Sequence, residues 1–94
     1  MIVHAAERAD GDGDRARVAV IASRRVGGAV QRNRAKRRLR ELVRHLPLRR
    51  EVDLVLVARR RCVDASFGEL GAELEELCTA LDVLDTSVSA EVGG

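Results

Sequence analysis

Arginine and lysine side chains are concentrated in one part of this 94-residue sequence, between Arg24 and Arg44. Nine of the 17 basic residues lie there with a single acid, Glu41, which gives this basic segment a net charge of +8. Because the whole chain carries +2, the remaining residues together carry −6. Guanidinium and ammonium groups bind phosphates and release counterions from a polyanion. Charge sorted to this degree indicates a surface for a polyanion, most often a nucleic acid.

No group of residues in the sequence has the spacing of a catalytic or metal site. His4 and His45 have no partner at the spacing of a known motif. Cys62 and Cys78 are too few for a disulfide framework or a zinc site, so we expect reduced thiols that pack as small hydrophobic groups. The acidic loop over residues 10–14 begins like a calcium loop but lacks its glycine and its final glutamate. The sequence therefore favours a binding protein over an enzyme acting on its own.

The length and hydropathy of the chain indicate one small cytoplasmic domain. Ninety-four residues suit a single core. The sequence has no apolar run of about 18 residues that would cross a membrane. Its first ten residues lack the basic and apolar regions of a signal peptide. We expect the domain to cover residues 1–82, and residues 83–94, which have no core pattern, to form a disordered tail.

The predicted elements follow the order β-β-α-β-α, which is an α+β domain in which helices pack on a sheet as two layers. Apolar runs at residues 2–6 and 17–23 predict two strands, which we expect to form a hairpin across the loop between them. The run over residues 52–58 is almost continuously apolar. It predicts a central strand that is covered on both faces, or nearly so.

Two helices complete the predicted fold. The first begins at about residue 28 or 29 and continues to residue 46, where Pro47 ends it. The second begins after Ser66, which has capping-box spacing to Glu69, and continues to about residue 81. Because the second helix is acidic on its exposed side, the positive charge of the domain belongs to the first.

A helical period sorts the residues of the first helix into distinct faces. An apolar arc faces the sheet and contains Ala35, Leu39, Leu42, Val43 and Leu46. A polar arc beside it, which we call the basic stripe, contains Asn33, Lys36, Arg37, Arg40 and Arg44. Arg34 and Arg38 lie on the opposite flank, and Arg32 lies near the apolar arc.

The basic stripe has the chemistry of an RNA or DNA contact. Arginine suits planar, bidentate phosphate binding. The amide of Asn33 can donate and accept, so it can bond a phosphate, a 2′-hydroxyl or a base edge. Arg24 and Arg25, which precede the helix, extend the patch. A basic helix that follows a strand and packs on a sheet favours RNA over the DNA major groove. A structural RNA-binding protein and a DNA-binding regulator both remain open at this point.

The same residues resemble the protein component of bacterial ribonuclease P. The hallmark of that family is a strand ending in serine and a basic pair, then a glycine, then A-V-x-R-N-x-x-K-R-x-x-R-E. Its positions are filled by Ser23, Arg24, Arg25, Gly27, Ala29, Val30, Arg32, Asn33, Lys36, Arg37, Arg40 and Glu41. The likeness extends over about residues 1–81, through Ala58 and Arg59 after the last strand and Ser66 and Phe67 at the last helix.

The resemblance implies a subunit of a ribonucleoprotein endoribonuclease that removes the 5′ leader from precursor tRNA. It implies catalysis by the RNA subunit with Mg²⁺ and no metal bound by the protein. The partners would be the ribonuclease P RNA and precursor tRNA, with no membrane. The RNA-contacting residues would be Arg24, Arg25, Arg32, Asn33, Arg34, Lys36, Arg37 and Arg40.

The resemblance also implies a leader-binding cleft and a left-handed βαβ crossover. His4 and Ser23 are the residues that match the cleft. Relative to the family, this sequence begins at what corresponds to the second strand, and it lacks the N-terminal helix, the first strand and their aromatic cleft residues. Either the true start lies upstream of Met1, or this is a shortened form of the family.

Overall fold

A computed structural model describes residues 1–8 and 15–85 of the chain. The strands are β1 (Ile2–Glu7), β2 (Arg17–Ile21) and β3 (Val52–Val57), and the helices are α1 (Ala29–Arg44), α2 (Arg61–Asp64) and α3 (Phe67–Ala80). The acidic loop of the rejected calcium motif and most of the predicted tail lie outside the described residues. The α+β class is confirmed, with α2 as an additional short helix.

The three strands form one sheet in the order β1-β3-β2. β1 pairs with β3 in antiparallel orientation, and β2 pairs with β3 in parallel orientation. The predicted hairpin between β1 and β2 is therefore wrong. Both strands pair instead with β3, whose apolar run places it in the middle of the sheet. The segment between them is longer than the two to five residues typical of a hairpin loop.

The core lies between one face of this sheet and the helices. Val52, Leu54 and Leu56 of β3 are buried, whereas Asp53, Val55 and Val57 on the other face are only half-buried. The described helices thus cover one face of the sheet, and the other face of β3 is only partly covered. The central position predicted for β3 is confirmed, but its burial is complete on one face only. The helices contribute Ala35, Leu39 and Val43 from α1 and Leu70, Leu74 and Cys78 from α3. Burial raises the pKa of the Cys78 thiol.

The helix ends agree closely with the sequence pattern. α1 ends at Arg44, two residues before the predicted end, and the His45 N–H donates to the Leu42 carbonyl. At the start of α3, the Ser66 hydroxyl accepts a hydrogen bond from the Glu69 N–H at 3.1 Å. The predicted cap is therefore confirmed.

The packed structure extends beyond the predicted domain boundary at residue 82. Val83 is buried, Leu84 forms an isolated bridge with Leu48, and the Asp85 N–H donates to the Pro47 carbonyl at 2.7 Å. Val83 belongs to the core and Leu84 packs against it, so residues 83–85 are attached to the domain rather than forming a tail. The predicted tail over 86–94 lies outside the described residues.

Candidate nucleic-acid interface

The basic stripe lies on the side of α1 that faces away from the core. Asn33, Arg37, Arg40 and Arg44 are exposed and Lys36 is half-buried, while the core residues of α1 point into the domain. Arg44 approaches Glu41 at 3.8 Å on the same helix. The side chains of the other four members form no hydrogen bond or ion pair with the residues that the structure describes. Their charges and amide groups are therefore available to a ligand.

A tight turn sets the position of α1 at the end of β2. The Val26 N–H donates to the Ser23 carbonyl, and the Gly27 N–H donates to the Arg24 carbonyl. Gly27 has a backbone φ of +144°, which residues with a Cβ atom rarely adopt. This conformation explains why the hallmark requires glycine at this position. Buried Val26 anchors the turn, and Arg24 and Arg25 are exposed on it.

The first turn of α1 adds to the positive potential of this surface. Its N-cap, Gly28, has no side-chain cap, and no acidic residue lies in the first turn. The N-terminal end of the helix dipole and its free N–H groups are thus not screened by a carboxylate. This arrangement favours negative charge near the same end as Arg24 and Arg25.

The sequence gives two different expectations for Arg32: the helical period places it near the apolar arc, and the family resemblance places it in contact with RNA. Its side chain is half-buried, as the helical period indicates, and its Nη1 lies 3.5 Å from the Gly27 carbonyl oxygen. The contact is long, at the limit of a hydrogen bond. RNA contact by Arg32 remains a prediction from the resemblance.

Arg34 and Arg38, on the far flank of α1, bind the protein itself. Arg38 donates to the carbonyls of Cys62 and Val63 at 2.8 and 2.9 Å, and also to that of Ala65. Its guanidinium lies 5.9 Å from the ring centre of Phe67, within cation–π range. Arg34 donates from Nε to the Val63 carbonyl at 3.0 Å.

These contacts make the far flank a clamp that holds the C-terminal end of α2 against α1. Because α2 is not visible in the sequence pattern, this role of the two arginines could not be predicted. Arg34 remains exposed, and its contact with RNA stays a prediction.

A cleft of about 480 Å³ lies where β2 and β3 both end. Its polar lining comes from Ser23, Arg25, Arg59 and Arg60, and its apolar lining includes Ile2 and Val57. The carboxyl ends of parallel strands meet at one edge of a sheet, which is a common place for ligands. Parallel pairing of β2 with β3 therefore brings residues 23–25 close to residues 59–60.

Arg59 and Arg60 line this cleft, although they are not among the site residues predicted from the sequence. Both are exposed, and their side chains form no hydrogen bond or ion pair within the described part of the chain. Arg60 also lines a neighbouring cleft of about 280 Å³ with Gly27, Gly28 and Gln31, so it connects the strand ends with the start of α1. The sequence shows three consecutive arginines after a core strand. That they lie beside residues 23–25 could be inferred only once β2 and β3 were known to pair in parallel.

The two residues predicted for the leader cleft lie in different places. Ser23 lines the cleft. His4 is exposed on β1 opposite Val55, two residues along the same sheet face from Ile2. It lies on the open face of the sheet and outside the cleft lining.

Taken together, these elements define a small α+β domain with a cationic surface built from one helix and the adjacent strand ends. Comparison with known proteins identifies the family. The profile described as Ribonuclease P matches residues 1–82, and the chain belongs to that family.

The similar proteins agree with this assignment. The ribonuclease P protein component of Symbiobacterium thermophilum is 49% identical over 63 residues, which cover 65% of this chain and 55% of that protein. The protein of the same description from Dehalococcoides mccartyi is 40% identical over 68 residues, which cover 72% of this chain and 57% of that protein. This chain therefore spans a little over half the length of these relatives.

Solved structures show the same fold. The Staphylococcus aureus RNase P protein superposes with a TM-score of 0.70 at 25% identity, over 88% of this chain and 75% of that one. The Thermotoga maritima RNase P protein superposes with a TM-score of 0.67 at 23% identity, over 80% of this chain and 71% of that one. No helix among the described residues is long and apolar enough to cross a membrane.

Proposed function

We propose that this chain is the protein subunit of a cytoplasmic ribonuclease P ribonucleoprotein. It assists a catalytic RNA in removing the 5′ leader from precursor tRNA by endonucleolytic cleavage, and it binds no membrane. The observation that carries the proposal is the hallmark helix of the family, whose basic stripe faces outward and has four members with no partner among the described residues. Its partners are the ribonuclease P RNA and precursor tRNA.

The basic stripe contacts the ribonuclease P RNA. Arg37, Arg40 and Lys36 neutralise phosphates, and the arginines present two donors at once to a phosphate. Asn33 lies among them and adds an acceptor, which a 2′-hydroxyl or a base edge can use. Mutual repulsion among these side chains in the free protein is relieved when RNA covers them. Arg24 extends the contact at the start of the helix.

The cleft at the strand ends receives the single-stranded leader. Arg25, Arg59 and Arg60 bind leader phosphates, while Ile2 and Val57 give an apolar floor for a base or a ribose. Its volume of about 480 Å³ falls in the ordinary range of ligand sites, roughly 300–1,000 Å³. His4, which is exposed on the open sheet face, stacks on a neighbouring nucleotide in this proposal.

The Mg²⁺ that the reaction needs belongs to the RNA subunit. Mg²⁺ prefers carboxylate and other oxygen ligands, whereas the surface of this protein presents mostly guanidinium and ammonium groups, which repel a divalent cation. The protein residues of this surface therefore do not fit a metal site. Their contribution is positive charge, which lowers the amount of Mg²⁺ needed to bring leader and RNA subunit together.

The dependence of RNA affinity on salt tests the basic stripe. Lys36→Ala should weaken binding to ribonuclease P RNA and reduce the slope of log Kd against log salt by roughly one. Arg50→Ala is the control, because Arg50 is an exposed arginine just before β3, at the opposite end of that strand from the cleft. Equal slopes for the two variants would contradict a defined RNA-binding face.

Two alternatives give different results in solution. A structural RNA-binding protein would show the same salt dependence but no effect on cleavage of precursor tRNA. A DNA-binding regulator would prefer duplex DNA to structured RNA in competition. The packing of α1 on a sheet disfavours this alternative, because recognition helices for the DNA major groove normally belong to all-helical units.

A further inference from the structure

Val30 is an apolar residue whose side chain lies outside the core and does not contribute to its packing. It is 77% exposed, compared with 50% for Ile21 and 43% for Phe67 among the other exposed large hydrophobic residues that the structure describes. A single exposed valine on a surface needs no explanation by itself. The position of Val30 on α1 is what distinguishes it.

Val30 is the second residue of α1 and lies at the centre of its exposed face. Side chains three, four and seven residues further along a helix lie on the same side, and here those are Asn33, Arg34 and Arg37. The buried side is formed by Ala35, Leu39 and Val43, and Leu39 lies almost directly opposite Val30 by helical period. A small apolar surface is thus bordered by the exposed side chains of Asn33 and Arg37, and by Arg34, whose Nε donates to the Val63 carbonyl.

Helix formation does not account for a valine at this position. The β-branched side chain lowers helix propensity relative to alanine or arginine. A hydrophobic staple would need apolar residues before the N-cap and at the fourth helical position, but these are Gly27 and Arg32.

We propose that Val30 contacts RNA directly, packing its two methyl groups against a ribose or base while the surrounding polar groups hold phosphates. The inference rests on the proposed function and adds a non-electrostatic contact to it. RNA helices expose a wide, shallow minor groove, and unpaired nucleotides expose base faces, so both offer apolar surface to a side chain on a helix. RNA fits better than an apolar protein partner, because the neighbouring guanidinium groups would be buried without anions against a protein.

The test measures Kd for ribonuclease P RNA over a range of salt concentrations, with Val30→Thr and Val30→Ala. Val30→Thr keeps the branched shape but replaces a methyl with a hydroxyl. We expect Kd to rise about five- to tenfold for both variants, with the slope against salt unchanged because no charge is lost. Thermal unfolding of Val30→Ala should be unchanged or slightly more resistant, since alanine is the better helix former. Weaker RNA binding with undiminished thermal stability would indicate that Val30 contacts RNA, rather than that the substitution disturbs the fold.

Two controls separate failure of this inference from failure of the proposed function. Val18→Thr makes the same substitution at a 37% exposed valine on β2 and should leave Kd unchanged. If Lys36→Ala lowers the salt slope but both Val30 variants bind as the wild type does, the Val30 contact is overturned and the proposed function stands. If Lys36→Ala also has no effect, the RNA-binding face itself is wrong. A changed salt slope in Val30→Thr would equally overturn the inference, because it would indicate that the phosphate contacts had moved.

Discussion

Arg37 and Arg38 are adjacent on α1, and the structure assigns them opposite roles. Arg38 donates to three carbonyls around the end of α2 and lies over the ring of Phe67. Arg37 is exposed, and its side chain forms no hydrogen bond or ion pair with the described residues. The same substitution at each position, to methionine, removes one positive charge and keeps an unbranched side chain that favours a helix. The pair therefore isolates the effect of the carbonyl contacts.

The loss of stability in Arg38→Met can be worked from its contacts. A hydrogen bond to a charged group contributes about 1.5–3 kcal/mol where water is excluded, and the cation–π contact adds about 0.5–1 kcal/mol. Arg38 is half-buried, so water can reach part of the site and replace some of the lost bonds. We expect the free energy of unfolding to fall by about 2–4 kcal/mol, which lowers the Tm of a domain of this size by roughly 10 °C or more.

Arg37→Met should change the free energy of unfolding by less than about 0.5 kcal/mol, as for other surface substitutions. It should instead weaken RNA binding and lower the salt slope by roughly one. Urea unfolding followed by circular dichroism gives the first quantity, and RNA titration at several salt concentrations gives the second. If Arg38→Met were as stable as Arg37→Met, the clamp on α2 would be wrong. If both lost salt slope equally, the division of α1 into two flanks would be wrong.

Two further pairs of substitutions test the fold that positions the site. Gly27→Ala should lower the free energy of unfolding by about 1–3 kcal/mol, because φ is +144° and the new Cβ would lie 3.0 Å from the side chain of Gln31. Gly68→Ala in α3 should raise the free energy of unfolding by up to about 1 kcal/mol, because no atom lies within 4 Å of the new Cβ. Urea unfolding measures both, and a stabilising Gly27→Ala would contradict the turn. Arg8→Met should cost about 1–3 kcal/mol, since its side chain is 8% exposed and donates to Asp53 at 2.8 Å. Arg17→Met, at 4.0 Å from the same acid and 65% exposed, should cost less than about 1 kcal/mol, and equal losses would refute the distinction.

The parts of the site that depend on a local period were predictable from the sequence. A helix of period 3.6 with Ala35, Leu39 and Val43 on one side places Arg37 and Arg40 on another, whatever the rest of the fold does. The cap at Ser66 and the end of α1 near Pro47 follow from local chemistry in the same way. The correct division of α1 into faces therefore needed no knowledge of the sheet.

The parts that depend on contacts between distant residues were not predictable. The order β1-β3-β2 is set by which strands pair with β3. Strands that are consecutive in the sequence are adjacent in a sheet in only about two-thirds of cases, and β1 and β2 are an exception. Without the parallel pairing of β2 and β3, nothing linked Ser23 and Arg25 with Arg59 and Arg60. The clamp by Arg38 was hidden for the same reason, since its acceptors are backbone carbonyls 24 to 27 residues away.

The most direct test of the proposed function is cleavage of precursor tRNA by ribonuclease P RNA at a low Mg²⁺ concentration, with and without this protein. We expect the protein to raise the initial rate of 5′-leader removal, and we expect Arg37→Ala to reduce this gain while Arg50→Ala does not. The gain should shrink as Mg²⁺ increases, because the cation can then supply the charge neutralisation by itself. An unchanged rate at protein concentrations that saturate RNA binding would contradict the proposed role in cleavage and would indicate a structural RNA-binding protein.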